Sequence, residues 1–347
     1  MYLITYKHKR SKKILILSLI ALLLVGGTLA SLFFIGGSYF YNYALNPKFH
    51  DELSTLGNIK EEWYKNVSES TITRNQEANK WYKLNVEKKE NIISIYSLGA
   101  KLQGYYLKKE NSHNYVILVH GYKGAPSNMA LFGYEYYLND FNVIFPANRG
   151  HDISLDSDPN GKISMGYYDK WDILEYAKKI LKEDKEAKFI LHGVSMGAAT
   201  VMMASSLNVD KLNVKAIVED RGYTSVYDIF NKVAKEDVKI PPFPILNGLD
   251  YFTYINDGWS LKEASAVNAL KNTNIPMFFV HGEDDGFVPF RMLDENINAY
   301  LTNSENKNHY EKLVIKDAQH GNSSLVGYDE NKGNYFNNIF DFIAKYL

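Results

Sequence analysis

Residues 188–200 read KFILHGVSMGAAT. An apolar run ends at Gly193, the turn Val194-Ser195-Met196-Gly197 follows, and then come small residues. That order predicts a strand, a sharp corner and a helix. The pattern Gly-x-Ser-x-Gly is common by chance, so it leaves open whether Ser195 attacks substrates or only occupies a tight turn. The context favours chemistry. A serine on such a corner stands clear of the sheet, and glycines at 193 and 197 avoid collisions with the neighbouring strand and helix. Ala198 and Ala199 keep the helix start slim. The serine also lies at a helix N-terminus, whose dipole favours developing negative charge.

Working outward, strands and helices alternate from about Asn91. IISIYS (92–97) and KLQGYYLK (101–108) are expected to form an antiparallel pair. YVILVHG (115–121), FNVIFPA (141–147), KFILHG (188–193), VKAIVED (214–220), IPMFFVHG (275–282) and EKLVIKD (311–317) read as further strands. Residues 167–182, 198–207, 290–302 and 335–346 carry helical patterns between and after them. This alternation predicts an α/β fold: a mostly parallel sheet with helices on both faces. Residues 228–262 interrupt it with Pro241, Pro242, Pro244 and six aromatic residues. That is too long for an ordinary connection, and it reads as an inserted cap.

Sites in parallel sheets form at the carboxyl ends of strands, so the residues after each strand are the candidates. A serine nucleophile needs a base, and the base needs an orienting acid. Of nine histidines, His8 and His50 lie in or near the N-terminal segment. His113 and His309 precede strands. His120, His192 and His281 each end a strand before a glycine, where side chains pack or hydrogen-bond within the sheet. His151 is a spare in a loop. His320 follows the last strand on a free loop and is the best base. Glu283, Asp284 and Asp285 follow the strand ending at His281, and Asp285 lies furthest into the turn. Asp220 is the second candidate for the acid. The oxyanion donors are expected to be the backbone N–H groups of Met196 and of Tyr122, the latter in the loop after VILVHG.

DSDPNGKISMGY (156–167) has the opening spacing of a calcium loop in Asp156, Asp158, Asn160 and Gly161. Its twelfth position is Tyr167 rather than a bidentate Glu, and no helix precedes it, so an Asx-rich turn is expected. No metal and no cofactor are expected. The net charge of −1 gives no field that would favour nucleic acid. The absence of cysteine removes disulfides and thiolate nucleophiles.

The chain starts differently. Residues 14–35 read ILILSLIALLLVGGTLASLFFI and carry no charge, enough to span the ~30 Å hydrocarbon core of a bilayer. Lys7, Lys9, Arg10, Lys12 and Lys13 precede the run, and Tyr39, Tyr41 and Tyr43 follow it. Basic residues stay cytoplasmic and tyrosines favour the interface, which predicts a single-pass anchor with the remaining chain outside. The rival is a cleaved signal peptide with Thr28-Leu29-Ala30 as its site, giving a secreted protein. Residues 1–13 then form a cytoplasmic tail, 14–35 the anchor, 36–90 a stalk and helical lead-in, and 91–347 the catalytic domain, with the cap at about 228–262.

HGYKG, NRGHD, GVSMG, HGEDDGFVP and QHGNS occur in this order. The set resembles the α/β-hydrolase superfamily over about residues 91–347, and within it bacterial membrane-anchored hydrolases similar to serine aminopeptidase-like and cinnamoyl-esterase-like enzymes. The resemblance implies Ser195 as nucleophile, Asp285 as acid, His320 as base, and Tyr122 and Met196 N–H groups as the oxyanion hole. It also implies that Arg221, where relatives often carry a small residue, narrows or charges the pocket. The expected activity is cleavage of small-molecule carboxylic esters through an acyl-enzyme. A peptidase or amidase on the same residues is the alternative, and a catalytically silent surface-binding protein is a third reading.

Overall fold

The computed structural model describes residues 2–49, 64–155, 161–329 and 331–347, with side chains from Lys12 onward. His50, the start of the lead-in and the acidic part of the calcium-like loop lie outside the described residues.

Eight strands form one sheet: β1 (Ile92–Ser97), β2 (Ala100–Leu107), β3 (Asn114–Val119), β4 (Asn142–Pro146), β5 (Lys188–Val194), β6 (Val214–Asp220), β7 (Met277–Gly282) and β8 (Tyr310–Ile315). Their spatial order is β1-β2-β4-β3-β5-β6-β7-β8. β1 pairs antiparallel with β2, and β2 antiparallel with β4. The other pairs are parallel. The α/β architecture expected from the sequence is therefore present. β3 to β7 are almost fully buried along their length, as strands covered on both faces must be.

The helices in chain order are α1 (Tyr2–Ser31), α2 (Gly37–Leu45), α3 (Glu69–Trp81), α4 (Ala130–Leu138), α5 (Asp169–Glu183), α6 (Met196–Ala204), α7 (Val226–Lys232), α8 (Pro242–Asp257), α9 (Ala266–Leu270), α10 (Arg291–Tyr300), α11 (Ser323–Val326) and α12 (Tyr335–Ile343). Val116, Leu118, Ile190, Val218 and Phe278 share one core with α4 and α12. The residues between them on the same strands face the other way, where Phe279 meets Tyr300 of α10 at 5.7 Å between rings. The period of two along each strand thus serves two helical layers.

The chain divides into two compact units. The larger joins Ala44–Ile229 with Leu261–Leu347 and contains the whole sheet. It also holds α3, which falls in the stretch expected from sequence to be a stalk and helical lead-in. Ser68 caps α3 by accepting the Thr71 N–H, Arg74 Nε donates to Glu135 of α4 at 2.7 Å, and Trp81 packs on Tyr134 and Tyr137. Its polar sequence hides this attachment, because the contact depends on an ion pair and one indole ring.

The smaller unit joins Met1–Tyr43 with Phe230–Ser260. Helix does not stop at Ile35. A π-turn over Leu32–Gly36 carries α1 into α2, which runs to Leu45. Lys12–Leu45 is long and apolar enough to cross a membrane. Two glycines bring α2 and α8 into backbone contact. A Cβ on Gly37 would lie 2.5 Å from Gly248 Cα, and one on Gly248 would lie 1.9 Å from Phe33 O. Phe33 and Phe34 pack on Tyr251. Tyr41 packs on Phe252 and donates its hydroxyl to Asp257 Oδ1 at 3.0 Å.

Candidate active site

Ser195 sits between the end of β5 and the start of α6, with φ 56° and ψ −116°. This is a strained conformation for a residue with a Cβ. It is fixed from two sides. The Ser195 N–H donates to Asp220 O at 2.9 Å, and the flanking glycines admit backbone where no side chain fits. A Cβ on Gly193 would lie 2.1 Å from Gly197 O, and one on Gly197 would lie 1.9 Å from Val119 O.

The structure brings Ser195, His320 and Asp285 together. Ser195 Oγ lies 2.9 Å from His320 Nε2, and His320 Nδ1 lies 2.7 Å from Asp285 Oδ2. With Asp285 as a carboxylate, Nδ1 carries the proton and Nε2 is left to accept from the serine hydroxyl. Asp285 Oδ1 accepts the N–H groups of Phe287 and Val288, both at 2.9 Å. The Asp285 side chain is fully buried, whereas that of His320 is 24% exposed. Burial works against the charge of Asp285. The hydrogen bond and charge of His320, then His281 and the Val288 N–H, outweigh it and hold the carboxyl below its ordinary pKa. The Phe287 ring lies 5.0 Å from the His320 ring and walls one side of it.

Asp220, the other candidate acid, is engaged elsewhere. Its carboxylate accepts from Tyr335 Oη at 2.8 Å, Ser323 Oγ at 2.9 Å and Arg221 Nη1 at 3.2 Å. Arg221 also donates to Ser323. The pocket role implied for Arg221 meets a buried guanidinium that is turned onto Asp220 and Ser323.

Tyr122 lies in the loop after β3, beside the nucleophile: a Cβ on Gly121 would lie 3.8 Å from Ser195 Oγ. Met196 opens α6, so its N–H lacks an intrahelical acceptor. The loop is held by two histidines whose tautomers the geometry fixes. The Asn148 N–H donates to His120 Nε2 at 3.2 Å, so Nδ1 carries the proton toward Gly121 O at 2.8 Å. The Lys123 N–H donates to His151 Nε2 at 3.0 Å, and His151 Nδ1 points to Arg149 O at 2.7 Å. Burial, and for His120 also the neighbouring His151, lowers both pKa values, that of His120 to about 3. The sequence reads His120 as packing or hydrogen-bonding within the sheet, the kind of structural role it has here, and His151 as a spare base, whereas its ring holds the turn that carries Tyr122. Their position in HGYKG and NRGHD was the available signal. The Tyr122 hydroxyl donates to Ala44 O at 2.7 Å, and the Ile163 N–H to Leu45 O at 2.8 Å. The carbonyls of Ala44 and Leu45, which belong to the larger unit, are thus satisfied within it. His192 is buried between the hydroxyls of Tyr136 and Tyr335. His281 Nε2 points to Val288 O at 2.9 Å.

Comparison with known proteins bears on this geometry. A Bacillus subtilis (strain 168) protein, YqkD, described as uncharacterized, is 22% identical over 243 residues, covering 65% of this chain and 78% of its own. The Pyrococcus furiosus esterase Pf2001 superposes with a TM-score of 0.57 at 18% identity, over 77% of this chain and 94% of its own. Est1E from Butyrivibrio proteoclasticus, solved with ferulic acid bound, gives 0.55 at 16% identity over 73% and 98%. The Pyrococcus horikoshii acylaminoacyl peptidase gives 0.52 at 17% identity over 77% of this chain but 43% of its own. These likenesses establish a shared fold. The prolyl oligopeptidase family matches residues 132–347, a stretch that begins after the Tyr122 loop and contains Ser195, Asp285 and His320. By that match the chain belongs to the prolyl oligopeptidase family, and it is a serine hydrolase of the α/β-hydrolase superfamily.

Proposed function

We propose that the protein is a membrane-anchored carboxylesterase with Ser195 as nucleophile, His320 as general base and acid, and Asp285 as the orienting acid. The observation that carries this is the unbroken relay from Ser195 Oγ through His320 to Asp285, at 2.9 and 2.7 Å. Ser195 Oγ attacks the ester carbonyl carbon as its proton passes to His320 Nε2. The N–H groups of Met196 and Tyr122 receive the oxyanion, aided by the α6 dipole. Collapse breaks the bond to the alcohol, which takes the proton from His320. Water then attacks the acyl-enzyme, again giving its proton to His320, and the acid is released. Asp285 holds the imidazole tautomer and stabilises the imidazolium.

Esters are favoured over peptides because the chain matches nearly the whole length of the two esterases but under half of the acylaminoacyl peptidase. The apolar run in α1, preceded by basic residues, supports an uncleaved anchor with the catalytic unit outside. A fluorophosphonate probe is expected to label the wild type and not Ser195→Ala; failure to label active-folded protein leaves a silent binding protein. On a panel of acyl esters and aminoacyl amides, esters are expected to be the faster class, and faster amide cleavage would establish the peptidase reading.

The Tyr122 hydroxyl gives a subtler test. Tyr122→Phe removes its bond to Ala44 O, at a cost of about 1 kcal/mol of stability. If the loop N–H acts on the oxyanion, kcat falls more than KM changes, because that donor is used in the transition state. An unchanged kcat would separate the loop from the oxyanion.

A further inference from the structure

In the smaller unit, the insertion is built onto the outer end of the apolar helix. Gly37 meets Gly248, and four residues further along each helix Tyr41 meets Phe252. On the other side of this contact Tyr251 packs on Phe33 and Phe34, and a Cβ on Gly36 would lie 3.2 Å from Ile245 Cγ1, so α8 crosses the apolar helix where its uncharged run ends. Phe243 has extended backbone (ψ 133°) and stands two residues before Ile245, which puts the tip beside the end of the uncharged run at Ile35. The segment leading into α8, residues 238–246, reads VKIPPFPIL and has one charge. Val238 is 46% exposed and Phe243 is 65% exposed. Further along α8, Tyr251, Tyr254 and Ile255 are also exposed, on one helical face. Lys235, Glu236 and Lys239 are exposed beside the tip, and Asp237 is paired with Lys232 at 2.8 Å.

We propose that the 238–245 tip of the insertion is seated in the outer edge of the bilayer that α1 crosses, with Phe243 and Val238 among the acyl chains and the tyrosines of α8 at the headgroup level. The occupant of this apolar surface is lipid because the surface is continuous with the helix that spans it. The contacts of Gly36 with Ile245 and of Gly37 with Gly248 hold the tip beside the end of that run. Aromatic and aliphatic side chains flanked by lysines are the composition that binds there. The proposal rests on the reading of α1 as a membrane anchor.

The absence of native cysteine makes the test direct. Full-length protein carrying a single environment-sensitive fluorophore at Phe243→Cys, Val238→Cys, Asn256→Cys or Leu23→Cys is reconstituted into lipid vesicles containing nitroxide lipids. Leu23 lies in the middle of the apolar run, and Asn256 is exposed at the other end of α8 from the tip, one residue before the Asp257 that accepts from Tyr41. The expected result is deep quenching at 23, shallow quenching with blue-shifted emission at 243 and 238, and water-like emission at 256. Quenching at 23 with water-like emission at both 243 and 238 overturns the proposal and leaves the anchor standing. Water-like emission at 23 overturns the anchor, and the proposal with it.

Discussion

Ser195→Ala is expected to lower kcat on the best ester by roughly 10⁶-fold, the scale of losing the nucleophile or base of a triad hydrolase. His320→Ala is expected to cost about as much, and the double variant no more than either, because both act in one step. The structural reason is the 2.9 Å bond between Ser195 Oγ and His320 Nε2. Without the base the hydroxyl keeps its proton, and without the hydroxyl the base has nothing to activate. The alanine keeps the Cβ that the φ of 56° already accommodates, so the far-UV circular dichroism is expected to be unchanged. The measurement is steady-state turnover of the purified full chain, with probe labelling of the same samples. A Ser195→Ala enzyme retaining more than about a hundredth of wild-type kcat would move the nucleophile elsewhere, since residual catalysis without the triad is far smaller than this.

The sheet was legible because most of its parallel strands are short runs that end in glycine or an acid, and each strand appears within two residues of its expected span. Ser195, His320 and Asp285 were legible for a related reason. Each follows a strand, and a parallel sheet gathers such positions at one edge. Sequence left the acid open between Asp285 and Asp220, because both follow strands. What separates them is the company of each carboxylate: His320 for one, and Arg221, Ser323 and Tyr335 for the other. Both segments of the smaller unit were legible, but their contact with each other was not. The missing Cβ of Gly37 is used for contact with Gly248, more than two hundred residues away. No local pattern reports a partner at that separation. Likewise the ties from Tyr122 to Ala44 and from Ile163 to Leu45 join segments far apart in the chain, so the end of the apolar helix reads as stalk in the sequence.

The two acids make opposite predictions. Asp285→Asn is expected to lower kcat by about 10⁴-fold with the fold intact, by the tautomer argument for triad acids. An asparagine amide presented to His320 Nδ1 favours the tautomer with the proton on Nε2, which then cannot accept from Ser195. The carboxylate itself is held below its ordinary pKa. It therefore stays charged to below the ordinary carboxylate range. The sign also sets the stability effect. A depressed carboxyl stabilises the fold above its unfolded pKa of about 4, and loses that contribution only as pH drops through the folded value. Asp220→Asn should act on stability instead. It leaves the Arg221 guanidinium, 7% exposed, without its counter-ion, at a cost of about 3–5 kcal/mol as for other buried pairs broken on one side. The Asp220 carbonyl that holds the Ser195 N–H is backbone and survives the change, so the folded fraction should retain kcat within about tenfold, the scale of a 1.4 kcal/mol disturbance. Measuring kcat and urea unfolding on both variants gives a crossed pattern if Asp285 is the acid. The reverse pattern, with Asp220→Asn folded but inactive and Asp285→Asn active, would transfer the role to Asp220.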